Sequence, residues 1–317
     1  MAYEDAPFPV REVPTLRWSL GERQLYAPQS LSDLPGRGFD AMVLTGWESP
    51  AYWAALIRGR QAGARVVGFY ESTLASHAFR GGPVVRAREF FFRQLDAVVV
   101  PGEASLKAVL AMGVEESKIF VGFNPVDVIG IHAAVGRARL KMNSIHKSEH
   151  RFLYIGQLIE RKNVATLVKA LNLLPDTRDT LTIAGAGHLR GDLERLRDHL
   201  GLKGRLAFVG AVPYERVPEI LADHDTLVLP STEEVWGLVV NEALAAGLHV
   251  VVSQASGVAA SVRDMRGVFL ADPESRSLAV AMAASRSSWS GPVEEPAILD
   301  KTPEAFADVV LRAAAGV

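Results

Sequence analysis

The chain of 317 residues contains no cysteine. That excludes disulfide cross-links, thiolate metal sites and cysteine nucleophiles. No run of about 18 apolar residues occurs, so no segment is expected to span a bilayer. The opening residues, MAYEDAPFP, are acidic and lack an apolar stretch, so no secretory signal is read there. An excess of charge of one sign is lacking too, with 34 basic residues against 36 acidic ones. The formal net charge is −2, which offers no global basic field to nucleic acid. No internal repeat or low-complexity tract is visible. A soluble, cytoplasmic protein without a nucleic-acid partner is the default expectation.

What is present is apolar pattern. Hydrophobic residues make up 49% of the chain, ample for buried cores, and the length suits about two domains. Residues 1–40 are least regular. Leu16, Trp18 and Leu20 alternate with polar positions, Gly21-Glu22 offers a turn, and Gln24–Tyr26 returns, which reads as a hairpin. From Phe39 strands and helices alternate, with strands at Phe39–Thr45, Arg65–Tyr70, Asp96–Val100 and Lys118–Gly122. Helices are expected at Pro50–Arg60, Val84–Leu95 and Glu103–Met112. Residues 127–150 lose the rhythm and read as a linker with at most one short helix. A second series follows, with strands at Arg151–Ile155, Leu181–Ala184, Leu206–Val209 and Thr226–Leu229. Its helices are Asn163–Leu174, Leu189–Leu200 and Tyr214–Asp223. Pro303–Ala315 reads as a final amphipathic helix. Alternation of this kind implies parallel sheets covered on both faces. The expected division is residues 1–135, residues 136–302 and a terminal helix over 303–317.

The most informative stretch is Pro230–Val252, PSTEEVWGLVVNEALAAGLHVVV. A buried strand runs into the polar loop Ser231–Trp236, then into a short helix from Gly237, stopped by Gly247 before the next strand. Glu234 precedes that helix and Glu242 lies just over a turn into it. Both lean toward the space above the strand ends, where open α/β sheets bind ligands. The free amides of Gly237 and Leu238 suit a phosphate. Carboxylates beside an anion-binding helix end fit a ligand with hydroxyls and phosphates, such as a nucleotide sugar.

Ser231, Glu234, Trp236, Gly237, Leu238, Glu242, Ala243, Ala245 and Gly247 together resemble the E-x7-E signature of retaining glycosyltransferases of family 4. Trp236 stands where that family usually has Phe. The segment Leu95–Asp127 also resembles the end of such a family's N-terminal domain. The resemblance implies the GT-B architecture: an α/β fold of two Rossmann-like domains facing across a cleft. The first would be shortened here, because no strand–glycine–helix unit precedes Phe39. It implies a retaining transferase that takes a nucleotide-diphosphate sugar and a hydroxyl acceptor on a polysaccharide, lipid-linked glycan or natural product. No cofactor and no metal are expected.

The resemblance also implies roles. Glu234 would bind donor-sugar hydroxyls and Glu242 the ribose hydroxyls. Lys162 and the Gly237–Leu238 amides would hold the diphosphate. Gly156-Gln157-Leu158 follows the first strand of the second series, and Gln157 replaces the family's arginine; Arg161 is the nearby substitute. Gly185-Ala186-Gly187 would form a donor-side loop, although a tight strand–helix turn explains the glycines equally. Its continuation, GAGHLRG, departs from the dinucleotide fingerprint G-x-G-x-x-G. Val212 would lie against the nucleobase. In the first half, Glu71 and His77 follow a strand end and are the acceptor-side candidates, with Glu71 accepting or orienting the acceptor proton. Asp223-His224-Asp225 has the form of a D-x-D metal motif, but at a helix–strand junction capping roles are expected. The Arg86–Arg93 helix is read as ordinary, with phenylalanines inside and arginines wet. Contact with a membrane at the inner face, holding a lipid-linked acceptor, is its other reading. Gln157 and the short first domain favour a second functional reading, a non-catalytic relative that binds a nucleotide sugar or a partner enzyme.

Overall fold

The computed structural model describes residues 9–20, 23–77, 79, 81–141 and 149–317. The MAYEDAPF segment, the Gly21-Glu22 turn and residues 142–148 of the expected linker lie outside the described residues. A hairpin comes first: β1 (Thr15–Leu20) pairs antiparallel with β2 (Arg23–Pro28). The first α/β series is β3 (Ala41–Leu44), α1 (Pro50–Gln61), β4 (Arg65–Phe69), α2 (Pro83–Arg93), β5 (Ala97–Pro101), α3 (Gly102–Ala111) and β6 (Ile119–Gly122). Its strands pair in parallel and in chain order, β3-β4-β5-β6.

After α4 (Val128–Lys141) the second series runs β7 (Arg151–Ile155), α5 (Val164–Leu173), β8 (Thr180–Ala184), α6 (Arg190–His199), β9 (Leu206–Gly210) and α7 (Val217–Ala222). It continues through β10 (Thr226–Leu229), α8 (Leu238–Ala245), β11 (His249–Ser253), α9 (Ala259–Val262), β12 (Val268–Ala271) and α10 (Ser275–Ser288). The last helix is α11 (Pro303–Ala315). The second sheet is parallel throughout, with strand order β12-β11-β10-β7-β8-β9. The chain starts at β7, walks outward to β9, then returns to place β10 on the other side of β7. That reversal opens a crevice at the carboxyl ends of β7 and β10, the general ligand position of such sheets.

Packing explains the patterns. Val228 and Val251 face α5 and α10, while Leu227, Leu229, Val250 and Val252 face α7 and α8. Both faces are covered, so these strands read as continuous apolar runs. The first sheet steps one way, and right-handed crossovers then place all its connecting helices on one face. Val66, Val98 and Val100 pack there with Leu56, Phe91 and Phe92. The opposite face, Val67, Ala97 and Val99, is covered by Val309 and Ala313 of α11. The Thr302 hydroxyl caps that helix by accepting from Ala305 N at 3.2 Å, with Pro303 at its first position. Arg65 Nε donates to Ala313 O at 2.7 Å, tying the chain's end to the first sheet.

Two expectations are corrected. Residues 128–141 form a fourteen-residue helix rather than a linker. Its apolar stripe is narrow, at Val128, Ile131 and Val135, and Gly130 and Gly136 blur it. The stripe is nevertheless buried in the core of the second sheet, against α7 and α8. The expected division at 135/136 thus falls within one helix. On α2, Arg88 is buried and Phe90 exposed, the reverse of what residue type suggests. Helix geometry is the reason. Arg88 shares the i, i+3, i+4 stripe of Phe91 and Phe92, and Phe90 lies off it.

A buried polar network at the amino-terminal end of the second sheet generates a pH dependence. His150 Nε2 lies 2.8 Å from Thr226 Oγ1, which lies 2.7 Å from Ser285 Oγ. His150 is 5% exposed. Burial, opposed in part by Asp225 and Asp179, lowers its pKa to about 4. The unfolded imidazole titrates near 6.5. Between those values the unfolded chain holds the extra proton, so stability falls as pH drops through that window. Chemical denaturation at pH 7.5 and pH 5 should differ by roughly 2 kcal/mol from this group alone. The expected outcome for His150→Gln is a smaller difference. An unchanged difference would place the acid sensitivity elsewhere.

Candidate active site

The loop after β7 and the loop after β10 meet across the crevice. Tyr154, buried at the end of β7, donates its hydroxyl to Gln157 O at 2.8 Å. Burial, then the charge of Glu234, pushes the Tyr154 pKa up, so the hydroxyl stays a donor. A short 3-10 turn at Glu160–Lys162 follows and ends in Asn163. Asn163 is the one non-glycine residue with positive φ, 56°, among the described residues. Asparagine tolerates this left-handed conformation better than most residues. Its side-chain amide donates to Pro230 O at 3.1 Å and to Pro273 O at 3.0 Å. One side chain therefore joins the loops that follow β7, β10 and β12.

That staple, with Thr232 N donating to Arg161 O at 2.9 Å, brings three charges together. Lys162 Nζ donates to Glu234 Oε2, and Arg161 lies 3.7 Å from Glu234 Oε1. The Glu234 side chain is 11% exposed and that of Lys162 14%, whereas that of Arg161 is 45% exposed. Gln157 does not join them. Its side chain is exposed and makes no hydrogen bond among the described residues.

Gly237 opens α8 with φ +102°, and a Cβ there would meet Leu229 Cδ2 at 2.7 Å. The first-turn amides at Gly237 and Leu238 have no partner inside the helix. Glu242 sits a turn deeper, half-buried, with no hydrogen bond to its carboxylate among the described residues. Burial raises its pKa. Exposed Tyr214 stands close enough for the Glu242 charge to raise its own pKa, after burial. Val212, partly buried, packs against the core beneath this end of the sheet.

The glycines after β8 have a backbone explanation. A Cβ at Gly185 would lie 1.8 Å from Gly156 O, and one at Gly187 would lie 2.3 Å from Leu158 O. They let the 185–187 turn pack directly on the 156–158 loop, which donates from Leu158 N to Ala186 O at 2.9 Å. Asp223 and Asp225 both pair with Arg151, and His224 bonds Ile220 O and Thr182 Oγ1. This trio lies at the opposite end of β10 from Glu234, so its carboxylates serve the junction.

The two acceptor-side candidates separate. Glu71 is exposed, and its Oε2 accepts from Asn124 Nδ2 at 3.4 Å. Asn124 O accepts from Asn241 of α8 at 2.7 Å, so Glu71 stands at the seam between the two sheets. His77 instead faces into the first unit, 2.6 Å from the Tyr70 hydroxyl. Burial, then the charge of Arg88, lowers its pKa to about 4, which leaves the imidazole neutral. The seam itself is organised by Trp236, 3% exposed. Its ring meets Phe123 edge-on at 5.0 Å, and its Nε1 donates to Asn241 Oδ1 at 3.3 Å. Gly102, with φ +78°, approaches it so closely that a Cβ would sit 2.8 Å from the indole. Arg263 pairs with Glu103 across the same seam at 2.7 Å. Asn163, Trp236 and Asn241 were not singled out from sequence for these contacts. An asparagine directly before an apolar helix was the one readable signal, for Asn163.

Two parallel-sheet units that face each other, with charged loops at the switch point of the second, define the GT-B architecture. The chain matches the family described as Glycosyl transferases group 1 over residues 138–287, and the Glycosyl transferase 4-like domain over residues 1–124. It belongs to the group 1 glycosyltransferases. It is similar to an uncharacterized glycosyltransferase of Methanocaldococcus jannaschii, 30% identical over 46% of this chain and 38% of that one. It is also similar to the lipopolysaccharide core biosynthesis glycosyltransferase LpsE of Rhizobium meliloti, 29% identical over 57% of this chain and 51% of the other. The chain thus spans about half, or less, of the length of these curated relatives. Among solved structures, Anabaena HepE in complex with UDP superposes with a TM-score of 0.66 at 20% identity, over 87% of this chain and 74% of that one. The lipopolysaccharide outer core galactosyltransferase WaaB superposes at 0.68 and 17% identity, over 86% and 74%. At these identities the likeness speaks for the fold.

The Asn163 staple is testable without a ligand. Asn163→Ala loses three hydrogen bonds, to Pro230 O, to Pro273 O and from Thr166 Oγ1, of about 1 kcal/mol each, and incurs about 1 kcal/mol of left-handed strain. Asn163→Gly loses only the hydrogen bonds, apart from the entropy of a glycine. Urea melts should rank alanine as the more damaging. Equal losses would mean the left-handed backbone carries no strain.

Proposed function

We propose that the chain is a retaining glycosyltransferase that moves a sugar from a nucleotide-diphosphate sugar to a hydroxyl acceptor. The observation that carries this is the convergence of Lys162, Arg161 and Glu234 beside the open amino end of α8, with the unpartnered carboxylate of Glu242 one turn deeper. Lys162, Arg161 and the Gly237–Leu238 amides hold the diphosphate and neutralise it as it leaves. Glu242 accepts the ribose hydroxyls, which restore the hydrogen bonds its carboxylate lacks. Glu234 accepts donor-sugar hydroxyls while positioning Lys162. Gly156, Gly185 and Val212 line the nucleotide with backbone. Glu71 orients the acceptor hydroxyl at the seam. The bond from anomeric carbon to phosphate oxygen breaks, the acceptor oxygen bonds on the same face, and its proton passes to the departing phosphate. Positive charge from the two cations and the helix end serves the leaving group, so transfer should persist in EDTA. The acceptor is a glycan or lipid-linked hydroxyl, reached from the cytoplasmic side. UDP and UDP-glucose occupy solved structures of Anabaena HepE, which makes uridine donors the first to test.

The Gln157 side chain, exposed and unbonded among the described residues, favours one other reading, a relative that binds a nucleotide sugar, or a partner enzyme, without transfer. Turnover separates the two. Titrating UDP-, GDP- and ADP-sugars by calorimetry should show binding by one. Glu242→Gln and Lys162→Ala should each weaken it tenfold to a hundredfold, since a charged hydrogen bond is worth about 1.5–3 kcal/mol. Gln157→Arg should tighten it by up to about tenfold. Binding by none of the three sugars in folded protein would sink the donor site. Donor binding with neither transfer nor donor hydrolysis would favour the non-catalytic reading.

A further inference from the structure

Arg88 is a cation in a core position. It is 8% exposed, on the α2 stripe that carries Phe91 and Phe92. No carboxylate lies within ion-pairing distance of it among the described residues, and its buried Nε has no hydrogen-bond partner. A charge removed from water without a partner is costly, and folded chains keep such groups paired. Two polar side chains within reach of its charge do not neutralise it. His77 is neutral, and Tyr70 keeps its proton because burial, opposed by Arg88, raises its pKa to about 12.

The guanidinium forms part of the wall of a cavity of about 480 Å³ at the carboxyl ends of β3 and β4, roofed by β2. Trp47, Tyr26, Tyr52 and Tyr70 are the aromatic residues of the lining, together with Ser49, Ser72 and Ser76, of which Ser76 Oγ already donates to Thr73 O at 3.0 Å. The Trp47 ring centroid is 5.9 Å from the guanidinium carbon. Glu48 is the one carboxylate on the wall. It is exposed and accepts from Trp47 N at 3.1 Å, which leaves it a partner for ligand hydroxyls. The loop from Glu71 to His77 divides this cavity from the seam, since Thr73 in its middle lies 3.3 Å from where a Cβ on Gly257 would stand.

We propose that this cavity, set apart from the transfer cleft, is a binding site for a sugar ring bearing a phosphate or carboxylate, with Arg88 the group that binds the anion. The size suits one such ring, the aromatic faces suit its C–H surface, and the buried fork suits a two-oxygen anion. The anion site stands on its own geometry and does not depend on the transferase reading.

The test uses the full chain saturated with UDP, so that phosphates do not report on the donor site. Glucuronate and glucose 6-phosphate should bind in calorimetry about tenfold or more tighter than glucose. Arg88→Met should abolish that preference and leave UDP binding unchanged. Because an unpaired buried charge is removed, ligand-free Arg88→Met should also melt higher, by roughly 2–4 °C. Arg88→Lys, which keeps charge but loses the fork, should retain part of the preference. Vesicles containing phosphatidylinositol provide the second arm: Arg88-dependent pelleting marks a lipid headgroup as the source, and binding of the free anionic sugars alone marks a soluble sugar. No anionic preference, or a preference indifferent to Arg88→Met, would overturn the proposal, as would a strongly lowered melting point in that variant. If UDP does not bind but Arg88-dependent anion binding is seen, the donor reading fails and this one holds.

Discussion

The contact on which the candidate site depends is the ion pair between Lys162 and Glu234, joined at its rim by Arg161. It links the loop after β7 to the loop after β10, at the place where the second sheet reverses its strand order. Neither half means much alone. A lysine at a helix entrance and a glutamate in a polar loop are common, and exposed pairs of this kind add little stability. Here both side chains are mostly removed from water. Desolvation offsets much of the attraction, so the pair's value is positional. It fixes two charges where the amino end of α8 already favours an anion.

Around that pair the structure is built from close backbone approach and side-chain amides. Gly185 and Gly187 allow the β8 turn to lie on the β7 loop, and Asn163 draws the β10 and β12 loops toward it. The result is a crevice floor made largely of main chain. Glu242 is the exception. Its carboxylate is partly desolvated and has no hydrogen bond among the described residues, so a group that brought hydroxyls to it would restore what burial removes.

The two units meet at a small seam centred on Trp236, with Gly102, Phe123 and Asn241 against or beside it. An aromatic residue in this place of the E-x7-E segment therefore serves the contact between units. Glu71 reaches the same seam through Asn124, and Thr73 lies against Gly257. His77, only six residues from Glu71, turns away into the first unit because its imidazole bonds Tyr70. Candidates grouped by sequence thus divide between the cleft and a separate cavity.

The amino-acid sequence determined the alternation of strands and helices, because parallel strands covered on both faces must be apolar throughout and their helices must be amphipathic. It also determined the Pro230–Val252 unit with its two acidic positions and its helix-opening glycine, since these depend on local spacing. It missed α4, whose narrow stripe becomes apolar surface only against α7 and α8. It inverted Arg88 and Phe90, because residue type was weighed over position on the helix. Which loops meet was decided by the tertiary structure alone. Strand order places β7 beside β10 across more than seventy residues of chain, and no local pattern encodes that neighbour. The pairing of Lys162 with Glu234, the three-loop staple of Asn163 and the charge of Arg88, without an ion-pair partner among the described residues, all follow from it or from packing of the same long range. Such contacts are properties of folded space, where residues far apart in the chain share a desolvated volume.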